Sequence, residues 1–130
     1  MILIDTTVWI EYFRQRDIFV EAIRPLLLSQ EIITIEPVFS ELLYGVRNSR
    51  ERKIIESYWN ILPRIEYGES SMLGAAIFAN DNDFYKLEIG LIDAIIIESV
   101  QSGNYLLWTL DKKMISHLDQ NFIFHFEEKL

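Results

Sequence analysis

The chain has no cysteine, which excludes a disulfide framework, a thiolate metal site and a cysteine nucleophile. Glycine (5) and proline (3) are few in 130 residues and never gather with serine into a linker. With no internal repeat or low-complexity tract either, residues 1–130 read as a single domain. No apolar run approaches the roughly 20 residues that span a bilayer. The opening Met-Ile-Leu-Ile is cut by Asp5, too soon for a signal-peptide core. The expectation is a cytoplasmic protein without membrane contact. Basic residues are also scarce: 12 Lys and Arg face 20 Asp and Glu, for a net charge of −8. That balance argues against a general nucleic-acid-binding surface. It leaves open an acidic site loaded with divalent cations, because the ion inverts the local electrostatics and can hold phosphate.

What is present is globular: 50% hydrophobic and 25% charged residues. Apolar runs alternate with helical patterns. "MILID" reads as a short buried strand, followed by a helix over "TTVWIEYFR". "DIFVEAIRPLLLS" reads as a helix bent or restarted near Pro25, and "EIITI" as a second strand. "EPVFSELLYGV" is a helix with Pro37 in its first turn. A helix over "RERKIIESYWNI" precedes a third strand, "PRIEY", and a long helix, "ESSMLGAAIFANDNDFY". A helix from Gly90 to Ser102, the strand "YLLWTL", the short helix "DKKMISHL" and a last strand "FIFHF" complete the chain. This alternation predicts an α/β sandwich with a mostly parallel sheet. In such folds ligands gather beyond the carboxyl ends of the strands, where Asp5 and Asp111 both fall.

The sharpest local feature is "GLIDAIII". On a helix, Asp93 neighbours Ile96, Ile97 and Val100, so its carboxylate projects from the apolar side. That placement costs several kcal/mol, on the order of the buried-charge penalty, unless a salt bridge or a metal offsets it. Asp5 and Asp111, each taken alone, read as helix N-caps. Glu41 lies on the flank of its apolar stripe with Gly45 one turn on. Taken together, the four acids form an oxygen-only donor set of the kind that suits Mg²⁺ or Mn²⁺. Such an ion can activate water for attack on a phosphodiester.

"ILIDTTVWIEYF", "SELLYG", "GLIDAIII" and "TLDKKM" resemble, in order, the four motif blocks of PIN-domain ribonucleases, in particular the VapC-type toxins of toxin–antitoxin pairs. The resemblance spans almost the whole chain. It implies that Asp5, Glu41, Asp93 and Asp111 are the acidic catalytic residues, with Asp5, Asp93 and Asp111 as metal ligands. Thr7 and Thr109 match hydroxyl positions that support the site. It further implies a PIN-like three-layer sandwich, Mg²⁺- or Mn²⁺-dependent RNA cleavage, a homodimer, and inhibition by a small VapB-like antitoxin. The sequence departs from the family in "AIIIESV", where members often carry a more alanine-rich stretch.

Other features point to less. Arg47, Arg50, Arg52 and Lys53 suit either RNA phosphates or a solvated helix face. "NDND" at 80–83 lacks the glycine and terminal glutamate of an EF-hand and reads as a surface turn. His117 and His125 have no metal spacing. The helix holding Trp9, Tyr12 and Phe13 is apolar on most sides, so one side is expected to serve a partner. Two other functions compete. A receiver-like phosphoacceptor domain needs an acidic pair near the first strand, which Asp5 lacks, although Lys112 loosely matches its lysine. A phosphatase of the haloacid-dehalogenase type needs D-x-D, and position 7 is threonine. A catalytically silent PIN-like binding module is the third reading.

Overall fold

The computed structural model of the chain describes residues 1–66 and 71–126. Strand β1 (Ile2–Ile4) leads into helices α1 (Thr6–Phe13) and α2 (Asp17–Leu28), then β2 (Ile32–Ile35). Helices α3 (Glu36–Tyr44) and α4 (Ser49–Ile61) precede β3 (Arg64–Ile65). After α5 (Ser71–Asp81) and α6 (Leu91–Gly103) come β4 (Leu106–Trp108), α7 (Lys112–His117) and a 3₁₀ turn, Gln120–Phe122. Among the described residues the sheet has the order β3-β2-β1-β4. Every pairing is parallel: Ile2 faces Ile32 on one side of β1 and Leu106 on the other. Both β1 and β2 are buried along their length, which is why they read as unbroken apolar runs rather than alternating ones.

The order fixes where a ligand belongs. From β1 the chain steps outward through β2 to β3, then returns to place β4 on the other side of β1. Right-handed crossovers put the helices of these two excursions on opposite faces of the sheet, giving three layers. The direction reverses between β1 and β4, so the crevice beyond their carboxyl ends is the topological switch point. Asp5 follows β1 and Thr109 follows β4 at that place. Beneath it, α6 buries Ile95, Ile96, Ile97 and Val100 in the core.

Several sequence expectations change. Pro25 lies inside α2, which runs unbroken from Asp17 to Leu28. The long helix ends at Asp81, because the Asn82 amide donates to Phe78 O at 2.8 Å and Asp83 turns left-handed (φ 57°). Its first residues, 69 and 70, and Tyr67 of the third strand fall outside the described residues. The expected last strand shrinks to one bridge, Leu107 to Ile123. There Phe124 and Phe126 pack on Trp108 at 4.7 and 4.9 Å between ring centroids instead of extending the ladder. Trp9 (0% exposed) and Tyr12 (4%) are core residues, not surface. Helix α1 lies between α2 and α3, so its second apolar side faces the protein. His117 and His125 are exposed. No described helix is long and apolar enough to cross a membrane.

Candidate functional site

Asp5 is buried (4% exposed) and uses both carboxylate oxygens. Its Oδ1 caps α1, accepting from the Thr7 N–H at 3.0 Å and the Val8 N–H at 3.4 Å. The same oxygen accepts the Thr7 hydroxyl at 2.5 Å, and Oδ2 accepts the Thr109 hydroxyl at 2.5 Å. Each threonine oxygen in turn accepts a backbone N–H from the loop after β4: Leu110 to Thr7 and Asp111 to Thr109, both at 3.0 Å. Since those N–H groups can only donate, both hydroxyl protons are directed at Asp5. The arrangement favours an ionised Asp5, yet burial outweighs it and raises the carboxyl from 3.8 to about 6.

Asp93 occupies the first turn of α6, half-buried, after Gly90 at the N-cap. An acid there is favoured by the helix dipole. Burial nevertheless raises its carboxyl above the usual range, and the negative charges of Asp111 and Glu41 raise it further. The Lys113 ammonium opposes them, but that lysine is bonded to Glu88 at 3.4 Å. No salt bridge reaches Asp93 among the described residues, so the ion-pair explanation of its placement fails. Asp111 caps α7, accepting the Lys113 N–H at 2.8 Å. Glu41 is solvent-exposed on α3 and accepts the Thr6 hydroxyl at 3.1 Å. Gly45 is the C-cap of α3, and a Cβ there would meet only Glu41 O and Leu42 O at 3.7 and 3.8 Å. It ends the helix rather than opening space inside it.

The structure thus brings the four acids and two threonines to the switch-point crevice. Asp5, Thr7 and Thr109 are bonded directly, and Asp93 lies within reach of the charges of Asp111 and Glu41. Among the described residues no three acidic or histidine side chains form a ready-made metal cage. Two of the acids are turned to helix N-termini, which accounts for this, and fields act over longer distances than coordination bonds. The donor chemistry fits Mg²⁺ or Mn²⁺: all oxygen, excess negative charge, and an ion that keeps several waters and needs only one or two direct carboxylates. Reasoning from sequence missed Thr6. The repeated hydroxyl of "DTT" was its only signal, and its partner Glu41 lies 35 residues away.

A groove of about 460 Å³ adjoins the crevice between α1, α3 and α4, lined by Ile10, Phe13, Leu42, Ile54 and Ile55 and reaching Glu41. Arg14, Arg47 and Glu51 also line it, so the basic cluster begins at its rim. Arg47 pairs with Glu51 at 3.4 Å and Arg52 with Glu56 at 4.0 Å, the pattern of a solvated helix face.

The fold is similar to three solved structures. VapBC2 from Rickettsia felis, bound to a DNA fragment from its promoter, matches over 95% of this chain and 96% of that one, at 21% identity and a TM-score of 0.68. A toxin–antitoxin complex from Klebsiella pneumoniae matches over 91% and 92%, at 17% identity and 0.70. FitAcB from Neisseria gonorrhoeae matches over 89% and 91%, at 16% identity and 0.60. No curated protein matches by sequence. A family model of the PIN domain matches residues 2–120, and the chain belongs to that family.

Proposed function

We propose that this protein is a Mg²⁺- or Mn²⁺-dependent endoribonuclease, the VapC-type toxin of a toxin–antitoxin pair, acting in the cytoplasm as one PIN-like domain. The observation that carries this reading is Asp93: a half-buried acid without an ion-pair partner among the described residues, its carboxyl raised by burial and then by Asp111 and Glu41. A bound dication would supply counter-charge beyond what Lys113 gives, and with it the means to polarise a phosphate and activate water. Asp5, Asp93 and Asp111 would hold it. Thr7 and Thr109 aim Asp5 and partly offset the cost of its charge, and the exposed Glu41 takes the proton of the attacking water or orients it. The net charge of −8 makes RNA binding dependent on the ion, which answers the scarcity of basic residues.

The partner reading rests on the kind of complexes the similar structures are. A VapB-like antitoxin helix would lie in the groove beside Glu41, its apolar face on Ile10, Phe13 and Ile54 and its charges at the Arg14, Arg47 and Glu51 rim. Leu73 (66% exposed) and Ile77 (62%) share one face of α5 and would form the contact of a homodimer. The receiver alternative conflicts with the topology, since flavodoxin-like receivers order their strands 2-1-3-4-5 and this sheet runs β3-β2-β1-β4. The test is incubation of structured and single-stranded RNAs with the protein in Mn²⁺, in Mg²⁺ and in chelator, beside Asp93→Asn. Metal-dependent cleavage lost in the variant is expected. Absence of cleavage in every metal would favour the silent binding module.

A further inference from the structure

Helix α3 carries Glu36, Ser40 and Tyr44 at four-residue spacing, so they form one exposed stripe. Tyr44 is 94% exposed, an aromatic ring left almost wholly in water one turn beyond Glu41. Opposite it stand Met72 of α5 and Ile92 of α6. Together they border an open cleft of about 600 Å³, which Glu41 also lines. The cleft therefore opens onto the acidic crevice, and whatever occupies it lies next to the bond being cut. Among the described residues its walls are apolar and aromatic, whereas its polar groups are the Glu36 and Glu41 carboxylates and the Ser40 and Tyr44 hydroxyls. Carboxylates repel phosphate, so the nucleic-acid backbone is kept out and a base is let in.

Building on the nuclease reading above, we propose that this cleft takes one unstacked RNA base with hydrogen-bond donors on its edge, guanine before the others, beside the scissile phosphate. Tyr44 supplies the stacking face, since any base can lie on an aromatic ring. Glu36 supplies the selection. It has no hydrogen-bond or ion-pair partner among the described residues, and an ionised carboxylate only accepts. Guanine presents two adjacent donors, N1–H and the N2 amino group, which match the two carboxylate oxygens. Uracil presents one N–H between two carbonyls, which face the carboxylate with like charge. Glu41 stays with the reacting water, and Met72 and Ile92 close the opposite wall.

The test uses the full-length protein in chelator and follows the Met72 and Ile92 methyl resonances as millimolar guanosine or uridine is added. Guanosine should shift both, and uridine should shift neither. Tyr44→Ala should weaken guanosine binding by about tenfold, the loss of one base–aromatic stack, while Tyr44→Trp retains it. Glu36→Gln should bring guanosine and uridine to similar affinity. Equal shifts from both nucleosides, or none from guanosine, would overturn the proposal. So would a Tyr44→Ala variant whose oligomeric mass drops while its guanosine response is unchanged, because the face would then be a contact between copies. Cleavage assays with metal separate the two ideas. RNA cleavage without guanosine shifts removes the base site alone. Guanosine shifts in a protein that cleaves no RNA in any metal keep the base site and remove the nuclease reading.

Discussion

At the scale of single residues, Asp5 shows how one carboxylate serves structure and chemistry together. The cap expected from "DTT" is present, and the second oxygen is held by Thr109 from the far side of the switch point. A carboxyl raised from 3.8 to about 6 destabilises the fold when ionised, by roughly 3 kcal/mol. The sign follows: the folded value is the higher one, so the metal-free protein has this stability in acid and loses it as pH rises through about 6. In chelator the melting temperature should therefore fall between about pH 4 and pH 7, and Asp5→Asn should flatten that slope. An unchanged slope in the variant would assign the pH dependence to other groups. Thr6 offers a second test. Its hydroxyl fixes a glutamate that is otherwise free on an exposed helix face. Thr6→Val should lower kcat on the order of tenfold, the worth of one hydrogen bond to a charged group. Thr6→Ser should restore it, and in a Glu41→Gln background the valine should add little. A full additional loss in that background would show that Thr6 acts independently of Glu41.

At the scale of elements, local periodicity was a good guide where an element buries one side and turns the other to solvent. Asp93 and its Ile96, Ile97, Val100 surroundings were legible because α6 is a regular helix with a buried side. Helix α1 was misjudged because a helical wheel counts apolar sides but not the helices packed against them. The last strand was misjudged because aromatic packing on Trp108 competes with ladder extension, a tertiary effect with no local signature. The surface that α1 does leave open is the groove at Ile10 and Phe13, not Trp9 or Tyr12. Ile54, 42% exposed on its far wall, can be changed without emptying the core. Ile54→Glu should leave the melting temperature nearly unchanged, as surface substitutions do. It should weaken binding of the proposed antitoxin at least about tenfold by placing a charge among Ile10, Phe13 and Leu42. Unaltered affinity, measured by calorimetry with the cognate antitoxin, would move the docking site elsewhere.

At the scale of the whole molecule, alternation of strands and helices was enough for a parallel α/β sheet, but not for the order β3-β2-β1-β4. Strand order is decided by crossovers between distant segments, and the sequence carries no local mark of it. The consequence for the site is that Asp5 and Thr109, 104 residues apart, bond directly, while Glu41 and Asp93 approach from α3 and α6 and Asp111 from the loop that carries Thr109. Folding this chain therefore concentrates negative charge in one crevice, and no described residue places a salt bridge on Asp93. The claim that a dication offsets that charge needs no knowledge of the RNA target to be tested. Wild type and Asp93→Asn are melted in parallel at neutral pH, in chelator and in millimolar Mn²⁺. With its carboxyl raised by burial and by two neighbouring acids, wild type should melt below the variant in chelator. Manganese should raise wild type by several degrees, since an ion at a hundredfold excess over its Kd adds roughly 3 kcal/mol, and should move the variant much less. A variant clearly less stable than wild type in chelator, with neither protein responding to manganese, would contradict the metal site and make Asp93 a structural residue.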